Sequence, residues 1–87
     1  MKMKEGFILR KVGTDHVVVA VGEVSKAFHG MIKLNDSAAF IWKQIEEGKD
    51  LDGVVTAMTE AYDVDEATAR DAACGLIKMM EENGILQ

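Results

Sequence analysis

The chain has 87 residues and a mass of 9.5 kDa, about the size of one small domain, and we expect residues 1–87 to form a single unit. A chain this short buries only about 60% of its unfolded surface. Most of its apolar residues, 48% of the total, are therefore needed for a core, and a large catalytic cleft is not expected.

The net charge of −5 is divided unevenly along the chain. Residues 1–34 carry six Lys or Arg against three Asp or Glu (+3), whereas residues 35–87 carry four against twelve (−8). An acidic C-terminal half opposes nucleic-acid binding, which usually needs a basic face.

The sequence favours a cytoplasmic protein that does not enter a membrane. Its single cysteine, Cys74, cannot form an intramolecular disulfide, which fits a reducing compartment. The longest apolar runs, at 17–21 and 38–42, have five residues, far fewer than the roughly 20 that span a bilayer. No apolar segment typical of a signal peptide follows the first lysines.

The first third of the chain predicts three strands. Segments 7–12 and 16–21 are rich in β-branched residues, and the intervening Gly13-Thr14-Asp15 has turn chemistry, so a hairpin is expected. In segment 27–34 the side chains alternate between two faces, with Ile32 and Leu34 on one face and Met31 and Lys33 on the other. This pattern is typical of a half-buried third strand.

The remainder predicts three helices. Asn35, Asp50 and Asp65 are placed as N-caps, and Gly48 and Gly84 as stops. The core stripe of the third helix is predicted to comprise Ala69, Ala72, Ala73, Leu76, Ile77 and Met80. The expected fold class is therefore α+β, a three-stranded antiparallel sheet followed by a three-helix bundle (β-β-β-α-α-α).

Little in the sequence suggests catalysis or metal binding. Cys74 lies near Arg70 and Lys78 on a helix, where a reactive thiol is conceivable, but a lone helical cysteine is more often a packing residue. His16 and His29 lie on separate strands without a second ligand at metal-binding spacing. No glycine pattern for a nucleotide is present. We expect no catalytic residue, metal or cofactor.

Two helices joined by about three residues are also typical of a helix-turn-helix, so a DNA-binding regulator is an alternative. The second helix of that pair, residues 66–82, carries two basic and four acidic residues, a balance of −2. Such a helix would be repelled by the phosphates of duplex DNA.

The third strand and the third helix together suggest a peptide groove. The strand is last in the predicted sheet, and Gly30 would let another backbone approach closely. On the helix, Arg70, Cys74, Ile77 and Glu81 form a second stripe beside the core stripe. An ordinary sheet edge and an ordinary helix margin explain the same residues, and both interpretations stay open at this point.

A resemblance covers nearly the whole chain, from about residue 6 to residue 86. The segments GMIKLNDSAAFIW at 30–42, IEEG at 45–48, YDVD at 62–65 and GIL at 84–86 resemble the PqqD family. That family contains small proteins of pyrroloquinoline quinone biosynthesis and related recognition domains for ribosomally made, post-translationally modified peptides. The entry to the first helix, Leu34-Asn35, with its Ala/Phe/Trp pattern, is the most specific part.

The resemblance implies a winged-helix-like domain that binds the leader segment of a precursor peptide as an extra strand between the third strand and the third helix. It implies no catalysis, and a modifying enzyme as partner, commonly a radical S-adenosylmethionine maturase. We place the expected peptide contacts on both elements: Phe28, His29, Gly30, Met31, Ile32 and Lys33 on the strand, and Arg70, Cys74, Ile77 and Lys78 on the helix.

Two other functions are weighed against leader binding. The first is the DNA-binding regulator described above. The second is a small subunit that only scaffolds an enzyme through its acidic helices. Which flank of the third helix contacts the peptide is left open, as are the precursor and the modification.

Overall fold

The computed structural model describes residues 2–26 and 30–86. Within them, the predicted α+β order of strands followed by helices is confirmed. The strands are β1 (Phe7–Val12), β2 (Asp15–Ala20) and β3 (Met31–Leu34), and the helices are α1 (Asp36–Glu46), α2 (Leu51–Ala61) and α3 (Glu66–Glu82). A short 3-10 helix, Gly22–Lys26, which the sequence did not predict, lies between β2 and β3.

The described strands form an antiparallel sheet in the order β1-β2-β3. Val18 of β2 stands opposite Leu9 of β1 and Ile32 of β3, and this row packs against the core. Side chains alternate between the two faces of a strand, so Met31 and Lys33 lie on the outer face. Among the described strands β3 is at an edge, as predicted.

The third strand is shorter than predicted. It begins at Met31 rather than at residue 27; residues 27–29 are outside the described part of the chain. Gly30 precedes the strand with φ of 101°, a backbone conformation that L-residues rarely adopt and that is incompatible with an extended strand. Gly30 is therefore a turn residue at the entrance to β3. The second strand begins one residue earlier than predicted, at Asp15.

The predicted helix caps are confirmed. Each capping side chain accepts the backbone N–H of the residue three positions later: Asn35 from Ala38 at 2.8 Å, Asp50 from Gly53 at 2.9 Å and Asp65 from Thr68 at 2.7 Å. The hydrogen bonds from the Thr68 backbone and side chain lower the pKa of the Asp65 carboxyl below its usual range. The caps fix where each helix begins, and thereby where its faces point.

A continuous apolar core joins the sheet to the helices. Its largest fully buried side chains are Trp42, Ile41, Ile45, Met80, Ile85, Val18 and Val54. The chain ends add to this core, because the N–H of Lys4 donates to the carbonyl of Ile85 at 2.6 Å and Met3 forms an antiparallel bridge with Leu86. In the described ranges, no helix has both the length and the apolar character needed to cross a membrane.

Candidate functional site

A surface groove runs between the β3 edge and α3, with the start of α1 at its side. Its volume is about 400 Å³. The strand side is lined by Ile32, Lys33 and Leu34, the α1 side by Asn35, Ser37, Ala38 and Ile41, and the α3 side by Asp71, Ala72, Gly75, Leu76 and Met79. The groove therefore presents mostly apolar side chains next to a strand edge.

Helical periodicity explains why α3 contributes these residues. Ala69, Ala73, Leu76 and Met80 are buried and face the core. Ala72, Gly75 and Met79 lie on the adjoining flank of the helix, and Ala72 is exposed there rather than buried in the predicted core stripe. Because Gly75 has no side chain, the groove stays open: a Cβ placed there would meet no atom within 4 Å.

The predicted stripe containing Arg70 lies on the other flank of α3. Nη2 of Arg70 donates to Asp52 Oδ1 of α2 at 3.0 Å and to Glu66 Oε1 at 3.3 Å. The hydrogen bond to Asp52, followed by that to Glu66, raises the pKa of the Arg70 guanidinium above its usual value. Arg70 therefore connects α3 to α2 and does not line the groove.

The structure brings only part of the predicted site together. On α3, Cys74 and Lys78 are exposed and Ile77 is half-buried, and none of these three residues lines the groove. The groove therefore lies on the flank of α3 away from the Arg70 stripe, whereas the sequence left open which flank would face a peptide. Peptide binding by any of these residues stays a prediction.

On the strand side, Ile32 and Lys33 line the groove. Met31 is 61% exposed and lies on the outer face, Gly30 lies in the preceding bend, and Phe28 and His29 fall outside the described residues. Lys33 Nζ is 3.8 Å from Asp15 Oδ2, so its charge is paired with β2. Asp71, Gly75 and Met79 also line the groove, and sequence reasoning did not single them out; the mid-helix Gly75 was the available signal.

His16 links the sheet to the wall of the groove. It stands opposite Leu34 in the β2–β3 register, and its Nε2 lies 2.7 Å from Asp36 Oδ1 at the start of α1. The His16 side chain is only 14% exposed. The pair holds the first turn of α1 beside the end of β3. Among the described residues, no group of three or more His, Cys, Asp or Glu side chains is arranged to hold a metal ion.

Among the described strands, β3 lies at the edge of the sheet, beside a mostly apolar groove. This arrangement defines the class of small domains that can take up an extended peptide as an additional strand. Comparison with known proteins identifies the family. Residues 15–86 match the family described as Coenzyme PQQ synthesis protein D (PqqD), and the chain belongs to this family. No curated protein sequence matched the chain.

Two solved structures share the fold. One is TbiB1 in complex with the TbiA(beta) leader peptide, with a TM-score of 0.79 and 20% identity, covering 100% of this chain and 95% of the other. The second is lasso peptide synthetase B1 complexed with the leader peptide, with a TM-score of 0.77 and 21% identity, covering 99% and 95%. These similarities show that the whole described architecture occurs in both proteins.

Proposed function

We propose that the chain binds the leader segment of a ribosomally made precursor peptide, which adds as a strand to the free edge of β3. The observation that carries this proposal is the groove between that edge and α3, lined by Ile32, Leu34, Leu76 and Met79. Main-chain hydrogen bonds to the edge would supply affinity, and the groove would receive alternate leader side chains. Membership of the PqqD family and the leader complexes of the two structural neighbours support it.

In this proposal the domain recognises the peptide and a separate enzyme modifies it. The partner would be a radical S-adenosylmethionine maturase or another modifying enzyme. The row Ile8–Val19–Met31 on the outer face of the sheet is separate from the groove, so it leaves a partly apolar surface free for that enzyme while a leader is bound. The proposed site of action is the cytoplasm, where ribosomal precursors are synthesised.

The charges of α3 oppose the alternative of a DNA-binding regulator. The helix carries Arg70 and Lys78 against four carboxylates, and Arg70 is already engaged by Asp52 and Glu66. A helix that enters the major groove needs cations facing the phosphates. No described contact favours DNA over a peptide.

The test of leader binding begins with a search for a short peptide gene beside the gene for this chain, whose product would be the candidate precursor. Its N-terminal segment would be synthesised and titrated into the isotope-labelled protein, with a scrambled peptide as control. We expect calorimetric binding and amide shifts concentrated in residues 31–34 and 71–79. Shifts confined to other surfaces would contradict the proposed site, and salt-sensitive binding of duplex DNA without peptide binding would overturn the function.

Presentation to an enzyme needs a separate experiment. A modifying enzyme found encoded beside this gene would be incubated with the candidate precursor in the presence and absence of this chain. Faster modification with the chain present, and no modification by the chain alone, are the expected results. Modification at an unchanged rate would contradict the proposed role as a presenting subunit.

A further inference from the structure

The groove contains an unpaired carboxylate. Asp71 lies on its α3 wall and is exposed. Within residues 2–26 and 30–86 it forms neither an ion pair nor a side-chain hydrogen bond, whereas the neighbouring Arg70 forms both. The charge of Asp71 is therefore available to a ligand.

None of the cations near the groove forms an ion pair with Asp71 among the described residues. Lys33 lines the strand side of the groove, but its Nζ lies 3.8 Å from Asp15 Oδ2 of β2. Arg70 is held on the opposite flank of α3 by Asp52 and Glu66. The sequence from 35 to 87 also has an excess of eight carboxylates. Lys78, seven residues after Asp71 and on the same side of α3, forms no ion pair with it among the described residues. Carboxylates outnumber cations on α3 by four to two.

We infer that the peptide bound in this groove carries a lysine or arginine whose side chain pairs with Asp71. This inference rests on the proposed function and specifies the peptide that the site selects. Alternate side chains of an added strand face the groove. A long basic side chain there would lay its methylene stem on Ala72 and Gly75 and extend its charged end to the carboxylate at the rim. An acidic residue at the same position would be repelled.

The inference can be tested without knowing the natural precursor. The probe is a displayed library of random peptides of about 12 residues, roughly twice the usual length of a strand, selected on the full chain. Binders that are lost on Gly75→Phe, which fills the groove, would be retained for sequencing. We expect them to combine alternating apolar residues with a Lys or Arg at one fixed position.

Charge variants then identify the partner of that basic residue. We expect Asp71→Asn to weaken a selected peptide about tenfold, in line with a hydrogen bond to a charged group. Asp71→Lys should abolish binding of that peptide. Binding to the Asp71→Lys variant should return when the basic residue of the peptide is changed to Glu. The control Glu60→Lys changes net charge equally, at an exposed position on α2, and should leave affinity unchanged. Circular dichroism would verify that each variant is folded.

The outcomes separate this inference from the proposed function. Groove-dependent peptides without a preference for basic residues, or with affinity unaffected by Asp71→Asn, would overturn the pairing and leave leader binding intact. Equal losses with Asp71→Lys and Glu60→Lys would show that only overall charge matters, which also overturns it. A library with no groove-dependent binder would contradict the proposed function itself.

Discussion

Replacing Gly75 with phenylalanine should separate folding from peptide binding. Gly75 lies in the interior of α3, where glycine is about 1 kcal/mol less favourable than alanine. A Cβ at this position has no neighbour within 4 Å, so the new ring enters the groove without displacing the core. Since phenylalanine has an intermediate helix propensity, we expect a gain of about 0.5 kcal/mol in unfolding free energy. For a domain of this size that corresponds to roughly 2–4 °C in melting temperature.

The same substitution should weaken binding strongly. The ring would occupy much of a groove of about 400 Å³ and exclude at least one leader side chain. Burial of a Val or Leu side chain is worth about 1.5–3 kcal/mol, so the dissociation constant should rise roughly tenfold to a hundredfold. Calorimetric titration of the leader, with thermal unfolding of the same samples, measures both effects.

Cys74→Phe is the matched control for this experiment. It places the same ring one residue earlier, at an exposed position outside the groove, and should leave affinity unchanged. Full leader affinity in folded Gly75→Phe would refute the placement of the peptide. Loss of affinity in Cys74→Phe alone would show that the leader lies on the flank that carries Arg70, Cys74 and Ile77.

Three further predictions concern the backbone and pH. Gly30→Ala should lower stability by about 1–2 kcal/mol, because φ is 101° and the left-handed region disfavours L-residues. Gly6→Ala, also at φ of 101°, should cost about 1–3 kcal/mol more, since its Cβ would clash with Val24; chemical denaturation measures both. Asp65→Asn should change how stability depends on pH in acid. The Thr68 hydrogen bonds lower the pKa of Asp65 below 3.8, so the charged carboxylate stabilises the fold fully above that pH. This stabilisation is lost as the pH falls through the lowered pKa.

Each of these predictions has a distinct contradicting result. The positions of Gly6 and Gly30 share one φ and differ in the space around the Cβ, so equal losses would show that the clash at Gly6 is relieved by movement. A Gly30→Ala variant as stable as the parent would contradict the backbone argument. For Asp65, the difference in melting temperature between the parent and Asp65→Asn should shrink only on the acid side; a constant difference from neutral pH to strong acid would contradict the assigned pKa shift.

The order of elements was predictable because local signals agree with the tertiary fold. Asn35, Asp50 and Asp65 each supply an oxygen that satisfies a free N–H in the first turn, and that chemistry is local. The start of β3 was harder to predict. Alternation continues through residues 27–34 in the sequence, but Gly30 adopts a positive φ that no side-chain pattern reveals.

The groove flank of α3 was not predictable from periodicity. The core stripe has two margins, one containing Arg70 and the other Ala72 and Gly75, and a helical projection treats them alike. Which margin meets the sheet depends on where α2 packs. Asp52 of α2 engages Arg70 at 3.0 Å, a contact across 18 positions of sequence. The sequence could predict that Glu66, one helical turn away, pairs with Arg70. It could not predict the contact between Arg70 and Asp52, which lies on another helix.

Main-chain pairing brings residues 3–4 next to residues 85–86. Lys4 and Ile85 are joined by a main-chain hydrogen bond of 2.6 Å, and Met3 and Leu86 lie side by side. A short linker between these ends would not need to cross the molecule, and the chain could then be opened in the turn between α1 and α2. Such a circular permutant would retain β3 and α3 intact. It would also let other proteins be attached at a new point, away from the buried Ile85 and Leu86.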